Sequence, residues 1–342
     1  MRVGLLFGGK SFEHDISIIS ANVIYHALKD KYDLFLMYID QNGNFKRPKK
    51  IDVFEISGGK KYKAFSFCNK GVKCAGRFKK IDVIISVMHG INGEDGMAKI
   101  LADLYDIPFV GSNHISSGAL LDKHFTYALL RDLRIKTIET KFYLENDKIT
   151  YEEFPIIIKP ARLGSSIGIT KVNNTDELNE KVNGAFKFDK KIIIQPFIEQ
   201  FKEYNQAAYI HNGEVCVSNV EEVFKSDDIL SFDDKYISTK VRRKHTFIEK
   251  ENLINKISEI TKKIYKSLEL SGIVRIDYMM VDGEILVNEI NTTPGSLAYY
   301  LFDEEILLLL DKQIHTALLT YQNKINTTFK SSILLQNYTY KK

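Results

Sequence analysis

Asp277, Glu289 and Asn291 stand with Arg275 at strand spacing late in the sequence, in Arg275-Ile-Asp277, a turn, then Asn288-Glu289-Ile-Asn291 before Thr-Thr-Pro294-Gly295. Side chains alternate faces along a strand, so Arg275 and Asp277 share a face, as do Glu289 and Asn291. Whether the two pairs meet depends on the turn between them. A three-residue loop, Asp282 to Glu284, puts Asp277 opposite Glu289, whereas a two-residue Asp-Gly turn puts the carboxylates on opposite faces. With the longer loop, Asp277, Glu289 and Asn291 converge as hard oxygen ligands, which suits Mg²⁺ bridging the phosphates of ATP. The same residues also read as a solvated hairpin face. Their apolar strand context, however, makes three oxygens and an arginine hard to leave unpaired.

A second group, Ile156-Ile-Ile-Lys159-Pro-Ala-Arg-Leu-Gly164-Ser165-Ser166-Ile-Gly168, ends an apolar strand on a lysine placed to meet a phosphate. The Gly-Ser-Ser-x-Gly loop brings backbone N–H groups and hydroxyls near phosphate oxygens. It lacks the GxxxxGK[ST] pattern of a P-loop, and alone it reads more readily as a tight hairpin turn than as a phosphate loop. In a third group, Gly8-Gly9-Lys-Ser11-Phe-Glu13-His14, a strand, a glycine pair and a helix start form generic anion-binding parts. Glu13 is out of place there for phosphate and suits an ammonium group. The fourth, His89-Gly90-Ile-Asn-Gly93-Glu94-Asp95-Gly96, follows the strand Val83 to Val87, at the strand end where open α/β sheets bind ligands. Glu94 and Asp95 read at least as well as caps of the next helix.

These groups need a scaffold of strands and helices. Val3 to Phe7 is a buried strand, and Ile16, Ile19, Val23, Ile24 and Leu28 recur at helical spacing. Leu34 to Ile39, Val83 to Val87 and Ile107 to Gly111 are further strands, with a helix after Gly96. This β-α-β alternation predicts a parallel sheet with helices on its faces. Residues 41–80 form a Lys- and Gly-rich, hairpin-like excursion. A helix from about Ser116 to Leu133 leads into a second unit with strands Pro155 to Lys159, Ile169 to Val172 and Ile192 to Gln195, and a helix capped by Thr175. A third unit carries an amphipathic helix (Leu253, Ile257, Ile260, Ile264, Leu268), a hairpin around Asp282-Gly283 and a last helix from about Glu304 to Tyr321.

At 342 residues the chain is long enough for two or three domains. Hydrophobic residues at 44% and charged residues at 27% describe an ordinary globular protein. A net charge of +4, scattered along the chain, points away from a nucleic-acid surface. Cys68, Cys74 and Cys216 lack the number and spacing of a disulfide framework or a zinc site. No apolar run approaches the ~20 residues of a membrane span. Met1 to Phe7 reads as a strand rather than a signal peptide, so a cytoplasmic enzyme is expected.

In order, the chain carries GGxSxEHxxS at Gly8 to Ser17, HGxxGEDG at His89 to Gly96, and an IPFVGS stretch followed by Asp122-Lys123. KPxxxGSSxG at Lys159 to Gly168 and RxDxM…NEINTxPG complete the series. This succession resembles the D-alanine–D-alanine ligases of the ATP-grasp superfamily over nearly the whole length. The resemblance implies an α/β fold with α+β elements in three domains. These are an N-terminal, Rossmann-like substrate domain (1–120), a central ATP-grasp subdomain (121–205), and a C-terminal one (206–342) with the metal site and a mobile loop.

It also implies the chemistry: ATP activates the first D-alanine as an acyl phosphate, and the second displaces phosphate to give D-alanyl-D-alanine for peptidoglycan precursors. Carried onto this sequence, Glu13 holds the first ammonium near His89. Lys123, Lys159 and Ser166 meet ATP phosphates, with Lys235 reaching the γ-phosphate. Glu203 matches the ribose-binding acid, and Gln195, Pro196, Phe197 and Ile198 match the strand that meets adenine. Asp277, Glu289 and Asn291 match the ligands of two Mg²⁺ ions, with Mn²⁺ as a substitute, through the three-residue hairpin loop. Arg275 and the Gly295 N–H match oxyanion donors. Ser165 and Tyr236 link with Glu13 to fasten a loop, about Ser226 to His245, over the site. A homodimer is implied as well.

The sequence departs from the family in two places. Many members have Glu at the position of Gln195, and the usual ending carries Met-Thr and a later Ser-Leu pair where Pro294-Gly295 here runs directly into Ser296-Leu297. Ser296 and the Leu297 amide are expected to receive the second carboxylate. Lys235-Tyr236 resembles the D-alanine-specific members, not the ester-forming relatives with His there. Competing readings are an ATP-grasp ligase making D-alanyl-D-lactate or another dipeptide, and a non-catalytic nucleotide-binding protein.

Overall fold

The computed structural model describes residues 1–223 and 245–323, whose strands fall into three sheets. The first begins with Arg2–Gly8, whose apolar run is buried from Val3 to Phe7. It pairs in parallel with Asp33–Ile39 on one side and Val83–Ser86 on the other, and Phe109–Val110 completes the parallel part. The helices His14–Leu28 and Ile306–Gln322 cover one face through Ile18, Ile24, Leu309 and Ile314. The helix Met97–Leu104 covers the other with Ala98 and Ala102. The end of the described chain therefore packs into the core that its beginning builds. Residues 41–80, read as a hairpin-like excursion, extend this same sheet with the antiparallel strands Phe45–Arg47, Lys63–Cys68, Gly71–Cys74 and Arg77–Lys80.

The second sheet is antiparallel, in the order Thr170–Val172, Ile156–Pro160, Lys191–Pro196, Lys141–Leu144, with the helix Thr175–Phe186 against it. The third is built on Lys202–His211, flanked by Glu221–Val223 and Val274–Val281. Its core takes Ile257 and Ile264 from the helix Glu251–Ser267, together with Leu120, Tyr127 and Leu130 from ahead of the second sheet. No helix among the described residues is long and apolar enough to cross a membrane.

Three local expectations are corrected. The continuous helix from Ser116 to Leu133 is two helices, His114–Leu121 and Lys123–Asp132. The break is Asp122, which is extended (ψ 111) and caps the second helix by accepting from the His124 and Phe125 amides. Asn174, not Thr175, caps the helix Thr175–Phe186, its side chain accepting from the Glu177 amide at 3.1 Å.

The third correction concerns the hairpin. The turn is the two-residue Asp282-Gly283, both at positive φ (50 and 80), with Val281 paired to Glu284. Such a turn alone sets Asp277 opposite Asn288. A bulge intervenes: Tyr278 pairs with Val287, but Asp277 pairs with Glu289. Asn288 is the extra residue, and its carbonyl accepts from the Tyr127 hydroxyl at 2.8 Å. The predicted opposition of the carboxylates thus holds for a different reason, a bulge near a site re-aiming a side chain.

Asp122 also accepts from Lys191 Nζ at 2.9 Å, and both side chains are nearly enclosed. The Lys191 ammonium lies 4.0 Å from the Phe125 ring centre. Lys191→Met leaves a buried carboxylate uncompensated, and a loss of about 3–5 kcal/mol is expected in urea unfolding. Adding Asp122→Asn, which keeps a capping side chain, should recover most of it. A single variant as stable as the parent refutes this role.

Candidate active site

The third sheet sets a row of polar side chains across neighbouring strands. Glu221 pairs with Asn205, Asn205 with Asp277, and Asp277 with Glu289. Directly opposed residues share a face, so the row lines one wall of a cavity of about 650 Å³. Arg275 clamps Asp277 from two positions along the same strand, Nε and Nη2 donating at 2.7 and 2.8 Å. Asn291 Nδ2 donates to Asp277 Oδ2 at 3.1 Å. Two carboxylates and an amide oxygen make an open, hard donor set that fits Mg²⁺, leaving positions for phosphate oxygens and water.

The opposite wall comes from the first sheet. Glu13 sits at the N-terminus of the helix His14–Leu28 but makes no capping bond with its side chain. Its carboxylate instead accepts from the Ser165 hydroxyl of the Gly-Ser-Ser loop. Two glycines permit this approach. A Cβ on Gly90, at φ +66, would lie 2.8 Å from Glu13 Oε2, and one on Gly164 would lie 3.3 Å from both carboxylate oxygens. Ser165 and Ser166 themselves adopt positive φ (54 and 60), which turns the loop toward Glu13.

A relay joins this wall to the Pro294-Gly295 turn. His89 Nδ1 lies 2.8 Å from the Thr293 carbonyl, which can only accept, so Nδ1 carries the proton. Nε2 then accepts from the Ser20 hydroxyl at 2.9 Å, and Ser20 Oγ accepts from the Ser296 amide at 3.0 Å. Burial, reinforced by the Arg275 charge against the Thr293 bond, lowers the His89 pKa to about 4, so the imidazole is neutral. Glu94, read in part as a helix cap, faces the cavity and accepts from the Gly90 amide at 2.9 Å. Burial and then the Glu13 charge raise its pKa to about 8. The helix Met97–Leu104 is capped by Gly96 without a side-chain bond, and Asp95 instead ties the preceding turn, accepting from the Asn92 and Met97 amides at 2.8 and 3.0 Å.

A cleft of about 140 Å³ adjoins the cavity. It is lined by Lys159, Ser166, Gln195, Pro196, Phe197 and Ile198. Lys123, Ser165, Glu203 and Glu289 line both spaces. Lys123 Nζ donates to the Leu163 carbonyl at 2.7 Å and stands 4.0 Å from Glu289. Arg275, His89, Gly295 and Ser296 line the large cavity. Leu297 lines neither space. Its side chain is buried in the first core, and its amide donates to the Pro294 carbonyl at 2.8 Å, so the expected amide contact to a carboxylate is corrected. Lys235, Tyr236 and the loop from about Ser226 lie outside the described residues, except for His245, which bonds Glu221 and stacks on Tyr300.

Family models for the N-terminus and the C-terminus of D-ala D-ala ligase match residues 2–112 and 125–306. The D-alanine–D-alanine ligase of Thermosipho melanesiensis is 33% identical over 98% of this chain and 98% of its own length. The chain belongs to the D-alanine–D-alanine ligase family. A Sulfurovum relative with the same description is 37% identical over 89% of this chain and 90% of its own. The crystal structure of the Helicobacter pylori D-alanine–D-alanine ligase superposes with a TM-score of 0.77 at 30% identity, covering 96% of this chain and all of that one.

The Gly295-Ser296-Leu297 ending adopts a left-handed turn. Ser296, Leu297 and Ala298 are all left-handed (φ 48, 56 and 47), which turns the Ser296 amide to Ser20. Sequence reading missed Ser20, Asn205 and Glu221. Ser20 was legible as a serine on the apolar face of its helix, four residues after Ile16, and Asn205 as an amide within an apolar strand.

Glu94 and His89 pull the pH dependence of stability in opposite directions. The raised Glu94 pKa gives stability that is full below the ordinary 4.5 and is lost as pH climbs toward 8; the lowered His89 pKa gives stability that is full above 6.5 and is lost as pH falls toward 4. In ligand-free protein, Glu94→Gln is therefore expected to gain thermal stability relative to the parent between pH 5 and 8. A constant difference in Tm over that range refutes the assignment.

Proposed function

We propose that the protein joins two D-alanines into D-alanyl-D-alanine while splitting ATP to ADP and phosphate, as its family name describes. One observation carries the reading: a single cavity holds an ammonium-binding carboxylate, Glu13, on one wall and an open oxygen set for Mg²⁺ on the other. At about 650 Å³ it has room for two small amino acids beside a triphosphate.

In this reading Glu13, held by Ser165 and Tyr236, takes the ammonium of the first D-alanine. Its carboxylate oxygen attacks the γ-phosphorus, the bond to the β-phosphate oxygen breaks, and ADP leaves. Lys123, Lys159, Ser166 and Lys235 hold phosphate oxygens, Glu203 the ribose, and Gln195 to Ile198 the adenine. Asp277, Glu289 and Asn291 would hold two Mg²⁺ ions, or Mn²⁺, which would neutralise charge on the phosphates. The neutral amine of the second D-alanine attacks the acyl carbon, and the oxyanion is met by Arg275 and the Gly295 N–H, donors worth roughly 3 kcal/mol each. The intermediate collapses by expelling phosphate, which takes up the proton the amide nitrogen loses. His89, kept neutral, adds no cation beside the incoming amine, and the Ser296 hydroxyl receives the second carboxylate. The same reading carries three domains (1–120, 121–205 and 206–342), a homodimer and a cytoplasmic location, where ATP is available.

Glu289→Gln is expected to nearly abolish ADP formation while the unfolding midpoint stays in place, because the lost charge faces a metal and not a core. Near-normal turnover at saturating Mg²⁺ excludes the metal role. Offered D-alanine and D-lactate together at pH 7, the enzyme should release chiefly the dipeptide, since His89 is neutral and Lys235-Tyr236 resembles the D-alanine-specific relatives and not the ester-forming ones with His there. A dominant ester assigns it to the depsipeptide-forming relatives instead.

A further inference from the structure

The narrow cleft contains a buried amide with one end committed and the other bare. Gln195 is fully buried on the strand Lys191–Pro196, next to Thr140 at the head of the paired strand Lys141–Leu144. Its Nε2 donates to Thr140 Oγ1 at 2.8 Å, and Thr140 donates its own proton to the Ile138 carbonyl at 2.8 Å. A hydroxyl has one proton. With that proton spent on Ile138, Thr140 can only accept from Gln195, and this fixes which end of the amide faces it.

The Tyr127 hydroxyl spends its own proton on the Asn288 carbonyl at 2.8 Å, so it has none to give Gln195 Oε1. Gln195 Oε1 is left buried without a partner, in a side chain that lines the cleft beside Phe197. An unpaired buried acceptor is costly unless a ligand satisfies it. Adenine presents a 6-amino donor, whereas hypoxanthine and guanine present a 6-oxo acceptor.

We propose that Thr140 is a positioning residue for nucleobase choice. By holding the Gln195 amide with its oxygen toward the cleft, it makes the site accept a 6-amino purine and refuse a 6-oxo purine. The proposal rests on the reading of this cleft as the nucleotide site. Thr140 itself lies outside the cleft lining. A carboxylate at position 195 could turn only oxygens to the base, so it would need no such orienting; an amide does, because its two ends differ.

The test compares Thr140→Val with the parent, using calorimetric binding of ATP and ITP analogues blocked at the β–γ bridge, alongside KM and kcat for ATP and ITP. Freed from Thr140, the amide can turn its NH₂ to a 6-oxo group. The ATP-over-ITP affinity ratio should then fall roughly tenfold, the scale of one hydrogen bond. KM should follow the ratio while kcat at saturating ATP stays close to the parent's. Thr140→Ser, which keeps the hydroxyl, should restore the ratio. A Thr140→Val protein with lowered Tm and an unchanged ratio overturns the proposal, as does failure of Ser to restore it. A parent that binds ATP with the expected preference but forms no dipeptide overturns only the functional reading. A parent that binds neither analogue overturns both.

Discussion

The cavity gathers more acid than bare solvation would tolerate, and most of the surrounding structure answers that one constraint. Glu13, Glu94, Glu221, Asp277 and Glu289 all line it. Enclosed like charges repel strongly, and an unpaired buried carboxylate is expensive. Each acid is compensated differently. Asp277 takes a two-pronged guanidinium, Glu13 a hydroxyl, Glu221 an imidazole, and Glu94 keeps its proton well above the usual carboxyl range. Lys123 stands at the edge of contact with Glu289. The partners come from all three sheets, so the cavity assembles only when the sheets meet.

That assembly is carried by connections of long sequence separation. The Ser296 amide, Ser20, His89 and the Thr293 carbonyl form a chain from the end of the third sheet to the first helix and back. The helix Ile306–Gln322 then buries Leu309, Leu310 and Ile314 against the first sheet. Three consecutive left-handed residues are uncommon for side chains with a Cβ, costing of order 1–3 kcal/mol each. Here they aim the Ser296 amide at Ser20, and the burial of Leu297 and Leu301 behind the turn holds it closed.

Much of this was legible in the sequence. The parallel strands showed as continuous apolar runs ending in glycine, and the chemistry-bearing groups fell at strand ends and helix starts. The described site residues it singled out face one cavity or the adjoining cleft, with Leu297 as the exception. What the sequence hid has physical causes. A bulge leaves no mark in a polar-apolar pattern, because Asn288 reads as one more polar residue beside a turn. The break at Asp122 was masked because apolar periodicity continues on both sides, and the aspartate is chosen by tertiary contact with Lys191. The extension of the first sheet through residues 41–80 is built of strands only three to six residues long, too brief for alternation to mark each one even though Phe65, Phe67, Val72 and Cys74 are buried. Asn205 and Glu221 draw their roles from cross-strand register, which a linear reading cannot supply.

The two glycines beside Glu13 show why the site is built from loops approaching from different sheets instead of from one rigid surface. Gly90 belongs to the end of a first-sheet strand and Gly164 to the loop of the second sheet, and a Cβ at either would press on the same carboxylate. The head group is thus packed between two backbones, with Ser165 donating to it and the Ser11 hydroxyl bonded to its amide at 3.0 Å. Backbone on two sides excludes water without adding a side chain that could compete for the carboxylate. The Glu13 carboxylate lines the cavity. A carboxylate at a helix N-terminus would ordinarily turn back to cap its own helix. Here the closeness of Gly90 and Gly164, and the serine that comes with the second of them, hold it away from that local solution and turn it to the cavity wall.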